Sequence, residues 1–393
     1  MISVHHVTYS QFVKLLFLTF FFQSLNALRR RKDRHEVDFA GLMGDDNDEG
    51  FNGIDIDNLH SDLGNDIDTA LFIQEYYDFD MNNEINHHTC GTEYDKETLV
   101  FITPWNNKGY DYVKVIANRI NWLSPVWLQL RIENDHDVII TGTHDIDQGW
   151  IDEVKGLNEN LSLVPRIKFE VDQTTMDCST KDYGDCATAA THMISLAQDH
   201  NFEGYTIEVS LNDWQLGAIV GVQLRNVGLK VLLVLPPLQT EGEQEQFQGF
   251  FNVMDRSVDR YIVMTYDAGN MEGSRPNAPL PWVASVIKGL ADIHPTQTKA
   301  KILLGIPCYG WRGANDALTG HALIEWQEQG GLATAQWMDD SYEHFFEDQS
   351  GRFCSFPTPK FVCERLALSV ELNVAGSAFW ELGQVHPSVL ACL

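Results

Sequence analysis

The stretch His200–Trp214 reads HNFEGYTIEVSLNDW, and its reading decides the fold. His200 closes a helical segment, and Glu203-Gly204 stands at the entry of a strand. Tyr205, Thr206, Ile207, Glu208, Val209 and Ser210 then alternate with period two. On that period Thr206, Glu208 and Ser210 share one side. A carboxylate in the middle of a buried strand is costly unless something pairs with it. Glu208 is therefore either a structural carboxylate bonded to a neighbour or part of an active or sugar-binding site.

Working outward, short apolar runs alternate with amphipathic ones from Leu99 onward. The pattern predicts strands at Leu99–Pro104, Pro125–Arg131, Leu163–Val171, Tyr205–Ser210, Lys230–Pro236, Arg260–Asp267, Lys301–Tyr309 and Gly376–Glu381. Helices are expected between them, at Asp111–Ile120, Trp150–Lys155, Ala187–Gln198, Trp214–Asn226, Gln246–Met254, Pro281–Leu290 and Cys363–Asn373. This is an α/β chain, and eight such units over roughly 300 residues fit a (β/α)₈ TIM barrel. A short α+β insertion, about residues 312–362, falls between strand 7 and helix 7. The rival is an open doubly wound sheet, which usually carries a glycine-rich phosphate turn after its first strand. Here the first strand runs into Pro104-Trp105-Asn106-Asn107 instead.

In a barrel the functional face lies at the strand C-termini. There the sequence places Trp105, Phe169 and Glu170, Glu208 and Ser210, Tyr266 and Asp267, Tyr309 and Trp311, Trp380 and Glu381. Any one aromatic at a strand end is readily explained by packing. As a set, aromatic faces that stack on sugar rings and carboxylates that bond hydroxyls point to a carbohydrate groove.

The 393 residues carry 27 Lys+Arg against 56 Asp+Glu, for a net charge of -29. That excludes nucleic acid and anionic membrane surfaces as natural partners. Much of the acidity is local to Asp38–Glu93, which reads as a disordered or loosely attached lead, so residues 28–96 are set apart from a folded unit at 97–393. Before it, Lys14, the apolar run Leu15–Phe22 and Ala27 resemble a secretory signal over residues 1–27, too short to span a bilayer. A secreted, extracellular or lysosomal location is the expectation, and Asn160-Leu161-Ser162 is an acceptor for N-linked sugar. Seven cysteines are an odd number, so at least one stays unpaired within the chain. Cys178 with Cys186 and Cys354 with Cys363 are each placed to close a short bridge. Cys90 and Cys392 flank the folded part and are candidates to tie its ends, while Cys308, inside an apolar strand, is the candidate buried thiol. Without CxxC or HExxH spacing, no metal site is expected, and no cofactor.

The strand ends also resemble a known family. Phe202-Glu203-Gly204 followed by Glu208 is similar to the fourth-strand motif of glycoside hydrolase family 18, the chitinases. Met264-Thr265-Tyr266-Asp267 resembles the sixth-strand motif, and Trp380 falls where the family keeps a tryptophan floor. Within the family, TPWNNKGY (Thr103–Tyr110), SPVWLQL (Ser124–Leu130), HDIDQGW (His144–Trp150), Asn277–Leu280, Glu343–Phe346 and WELGQ (Trp380–Gln384) look like the chitinase-domain-containing branch, the stabilin-interacting chitinase-like proteins. The resemblance implies a TIM barrel and a secreted or lysosomal lectin that binds chitooligosaccharide or related N-acetylated glycans. A cell-surface or sorting receptor is a further candidate partner, one that the resemblance itself does not imply.

Set residue by residue, the motif departs from the family. Its first acid falls on Glu203, the second on Thr206, the third on Glu208, and the proton donor on Ser210. Family members use the substrate's own N-acetyl oxygen as nucleophile and need that last acid to protonate the leaving group. A serine hydroxyl is a poor general acid, and losing one costs about 10²–10⁴-fold in rate. The expectation is a groove with no catalytic residue, in which Glu208 hydrogen-bonds Tyr266 or Asp267. The alternative is a hydrolase with Glu208 as a displaced acid, though it lies roughly 6–7 Å deeper along the strand. A third reading is a protein-interaction scaffold with a vestigial groove.

Overall fold

A computed structural model describes residues 90, 94–133, 137–179, 183–268, 276–293, 299–313, 316–329, 332–348 and 353–393. The expected signal and nearly all of the acidic lead lie outside them.

Eight parallel strands form the barrel: β1 (Glu97–Ile102), β2 (Trp122–Glu133), β3 (Arg166–Phe169), β4 (Gly204–Glu208), β5 (Lys230–Leu235), β6 (Arg260–Val263), β7 (Ile302–Pro307) and β8 (Gly376–Trp380). Each pairs with the next, and β1 pairs with both β2 and β8, so the ring closes. Helices α1 (Lys108–Ile116), α2 (Gln148–Leu157), α3 (Gly184–His200), α4 (Trp214–Asn226), α5 (Glu241–Ser257), α6 (Leu280–Ile293) and α7 (Pro359–Glu371) flank it.

Alternation along the strands sorts two cores. Leu99, Phe101, Val126, Val164, Leu232, Val234, Ile262, Leu303 and Ala378 fill the inside of the barrel. Their neighbours Val100, Ile102, Ile167, Ile207, Leu233 and Leu304 face the helices. At the bottom, the Glu97 carboxylate accepts from Trp122 Nε1 at 2.8 Å and Arg260 Nε at 2.7 Å. Gly204 opens β4 because a Cβ there would sit 2.0 Å from the Lys230 carbonyl oxygen.

Helix starts fall earlier than apolar periodicity alone suggests. Thr240 and Glu243 close a capping box, so α5 begins at Glu241 instead of Gln246. Thr358 caps α7 and Pro359 occupies its first turn, four residues before Cys363. The antiparallel strand Asp137–Thr141, which extends β2, is a further addition.

Between β7 and α7 the chain builds a five-stranded sheet, in the order 316–318, 310–312, 353–355, 343–348, 332–338, with a helix at Gly320–Glu328. Leu318, Leu323, Phe346, Cys354 and Phe356 form its own small core, with Trp326 packed against it.

The cysteines pair in part as expected. Cys178 bonds Cys186, and Cys308 is a buried thiol. The Cys354–Cys363 pairing is overturned: Cys363 on α7 bonds Cys90, while Cys354 is a thiol inside the insertion core. Cys90 therefore does not pair with Cys392, whose Sγ lies 3.9 Å from that of Cys363. Closeness in sequence misleads here because Cys354 belongs to the inserted sheet and Cys363 to the helix behind the barrel.

Candidate functional site

Three strands bring charge into the barrel mouth. Val164, just before β3, and Arg166 and Lys168 of β3 follow one another on the inward face, and Lys168 is in register with Glu208 of β4. Arg166 Nε donates to Glu208 Oε2 at 2.7 Å, and Nη2 lies 2.6 Å from the same oxygen. The two side chains are 11% and 16% exposed, so this ion pair lies inside the mouth and not on its rim. The guanidinium carbon also sits 6.0 Å from the centroid of the half-buried Trp380 ring. Trp380 is held edge-on by Phe101 at 5.0 Å. Lys168 senses Glu208, Arg166 and Glu170, and burial holds its ammonium below the usual lysine range.

Glu208 is thus a bonded site carboxylate, but its partner is Arg166 and not Tyr266 or Asp267. The pairing is reached across one strand, from a position two residues deeper in β3.

Asp267 sits in a second cluster. Its Oδ1 accepts from Tyr309 Oη at 2.6 Å and Trp311 Nε1 at 3.2 Å. Its backbone has φ of 62°, a left-handed conformation that Asn277 supports by accepting the Asp267 N–H at 2.9 Å. Burial raises the Asp267 carboxyl above its ordinary value, against the two donors that lower it. Tyr266, half-buried beside it, is pushed well above the usual phenol value by burial and by Asp267 and Glu208.

Other expected site residues separate. Glu381 is 1% exposed; its Oε1 accepts from Asn106 Nδ2 at 2.9 Å and its Oε2 from Gly383 N at 3.0 Å. It ties the end of β8 to the loop after β1 and has no free face toward a ligand. Burial lifts its carboxyl to about 7. Tyr309, 7% exposed, supports Asp267 from beneath. Glu170 pairs with Arg131 at 2.7 Å on the rim, and Trp105 is 51% exposed after β1. The Trp380–Glu381 peptide is cis.

The fourth-strand motif residues also divide. Glu203 accepts from Leu163 N at 2.7 Å and pairs with Lys155, latching the barrel's lower edge. Thr206 donates to the Val164 carbonyl at 3.1 Å inside the barrel. Ser210 lies beyond the end of β4, exposed, with its hydroxyl accepting from Asn212 N at 3.3 Å.

Arg166, Lys168, Asn277 and Asn106 are the site-shaping residues that the strand-end inspection misses. The signal for the first two is in RIKF itself: two cations at alternate positions of a buried strand demand partners as much as Glu208 does. The asparagines act through loop geometry, for which no spacing rule exists.

Residues 232–384 match the family model of glycosyl hydrolases family 18. The chain is chitinase-like in fold. The chitinase-like barrel is similar to a class V chitinase from Pseudomonas fluorescens Pf-5, with a TM-score of 0.63 at 15% identity over 76% of this chain and 98% of that one. It is similar to a family 18 chitinase from Cycas revoluta solved with (GlcNAc)3, with a TM-score of 0.60 at 16% identity over 75% and 97%. It also resembles the spore cortex-lytic enzyme SleL of Bacillus megaterium, with a TM-score of 0.60 at 15% identity over 76% and 73%. The family match includes Tyr266, Asp267, Tyr309, Trp380 and Glu381, and begins beyond Arg166, Glu208 and Ser210.

Proposed function

We propose that this chain is a non-catalytic, chitinase-like lectin that binds N-acetylated oligosaccharides at the barrel mouth. The observation that carries the reading is the Arg166–Glu208 ion pair beneath Trp380. In the family's mechanism an acid on the fourth strand delivers a proton to the glycosidic oxygen. Here the inward carboxylate of that strand is engaged by a guanidinium, and the donor's place is held by a surface serine. Neither group is arranged as a general acid.

What remains suits recognition. Trp380 offers a ring face, Trp105 an exposed indole after β1, and Tyr266 and Glu208 polar atoms at other strand ends. Asp267, Tyr309 and Glu381 hold this surface in shape. The secretory-type leader, the lectin role and the kinship with the chitinase-domain-containing branch belong to the same proposal; that kinship does not extend it to a receptor partner.

The hydrolase alternative, with Glu208 as displaced acid, requires Arg166 to release it. The test is direct: chitotetraose is titrated into the protein and recovered for analysis of its reducing ends. The lectin reading predicts saturable binding that Trp380→Ala weakens at least about tenfold, about 1.4 kcal/mol, with intact ligand. Release of reducing ends that Glu208→Gln abolishes would defeat it.

A further inference from the structure

Glu343 opens the inserted strand 343–348 and is 2% exposed. A carboxylate taken that far from water needs strong compensation. Its Oε2 accepts from Asn277 N at 2.9 Å and its Oε1 from Ala278 N at 2.7 Å. Arg365 of α7, also buried, brings Nη2 to 3.6 Å from Oε1. The same guanidinium donates to the carbonyls of Ala278, Tyr342 and Phe361. Glu343 and Arg365 thereby fasten the inserted sheet, α7 and the segment leading into α6 to one another.

The segment held in this way is the one that shapes the mouth. The Asn277 side chain accepts the Asp267 N–H through Oδ1 and donates Nδ2 to the Tyr309 carbonyl, each at 2.9 Å. The Asn277 carbonyl accepts from Ala268 N at 3.0 Å. A non-glycine residue such as Asp267, with φ of 62°, keeps that conformation only where its surroundings hold it. Asn277 holds Asp267, and Glu343 holds Asn277. Two steps of hydrogen bonding therefore lead from the inserted sheet to Asp267, and both Asn277 and Glu343 are buried. A displacement of the sheet against the barrel moves Asp267, and with it the Tyr309 hydroxyl that donates to it.

We propose that Glu343 is a positioning residue for the glycan site: by clamping the backbone of Asn277 and Ala278 it sets the Tyr266-Asp267 end of the sixth strand, so that a ligand at the mouth and the clamp stabilise each other. This rests on the glycan-binding reading above and adds the inserted sheet to that site. Such coupling is reciprocal, so the factor that the clamp contributes to affinity is returned by the ligand to the clamp.

Chitotetraose and the full chain test this from both directions. Residue-resolved hydrogen exchange of the wild type, free and saturated with chitotetraose, reads the Asn277 and Ala278 amides, which are expected to exchange about tenfold more slowly in the complex. Calorimetric titration of Glu343→Gln reads the reverse direction. One of the two amides then faces an NH2 group instead of a carboxylate oxygen, and binding is expected to weaken about tenfold at a temperature where the variant is folded. Leu323→Ala, which opens a cavity in the core of the insertion, is the matched control; it lowers the melting temperature and leaves the Kd within about twofold. If Glu343→Gln binds as tightly as wild type, or weakens no more than Leu323→Ala, Glu343 acts on stability alone and the inference is wrong, while glycan binding stands. If Glu343→Gln does not fold, the wild-type exchange decides: unchanged Asn277 and Ala278 amides overturn the inference. If chitotetraose does not bind the wild type, both readings fall.

Discussion

Arg166 and Glu208 are bound to each other across the boundary between β3 and β4, with Nε 2.7 Å from Oε2. That relationship sets the character of the barrel mouth. A lone carboxylate there would attract a proton or a cation; a paired one is a fixed anchor for a guanidinium.

Breaking the pair from one side removes the hydrogen-bonded partner of the other charge under Trp380. Arg166→Met is expected to destabilise the fold by about 2 kcal/mol, below the 3–5 kcal/mol of a fully buried pair because both groups keep some solvent contact. The Arg166→Met/Glu208→Gln double variant recovers part of that loss. Urea unfolding of the four proteins measures the coupling; strictly additive losses would mean the two side chains do not interact.

Restoring the missing acid alone is not expected to restore chemistry. Ser210 is outside the strand and exposed, and Glu208 stays tied to Arg166. Ser210→Glu should release no reducing ends from chitotetraose above the wild-type background over a day. Turnover in that single variant, removed again by Ser210→Gln, would show that the ion pair does not block the site.

The buried Glu381 gives a signed pH effect. Its carboxyl is raised in the folded state to about 7 from an ordinary 4.5, so the folded protein holds that proton more tightly than the unfolded chain. Its contribution to stability is complete below about pH 4.5 and is lost as pH rises toward 7. Glu381→Gln removes this dependence. The stability of the variant relative to wild type should therefore increase between pH 4.5 and 7.5, as read from urea midpoints, and a flat difference would contradict the burial. His344 and His386 act in the opposite sense: burial lowers both to about 3, so their contribution is lost as pH falls from 6.5 toward 3.

Disulfide mapping has a definite expectation. Non-reducing peptide analysis should recover Cys90 with Cys363 and Cys178 with Cys186, and alkylation after unfolding should label Cys308, Cys354 and Cys392. The Cys90 bond spans 273 residues, so Cys90→Ser should cost about 2–5 kcal/mol. A Cys354–Cys363 peptide would contradict the separation of the inserted sheet from α7.

Much of the barrel is legible in the sequence because each strand must bury one face inside the ring and the other against helices. Leu99 and Val100, or Leu232 and Leu233, show that double demand as apolar runs without a polar face. Helix starts such as Thr240 and Thr358 are legible too, once caps are weighed beside periodicity. The site is harder. Glu208 announces itself as a buried charge, yet its partner is set by strand register, which only the closed ring determines. Glu381 looks like a groove acid because it follows Trp380, but the turn after β8 directs it onto Asn106 and Gly383. Asn277 carries no chemical signature, although it holds Asp267 and the Tyr309 backbone, and Glu343 holds Asn277 in turn.

Calorimetric titration of chitotetraose, followed by analysis of the same sample for reducing ends, tests the central claim most directly. Saturable binding with the tetrasaccharide recovered intact, and weakened at least about tenfold in Trp380→Ala, is the result the account predicts. Cleavage of the tetrasaccharide that disappears in Glu208→Gln would contradict it.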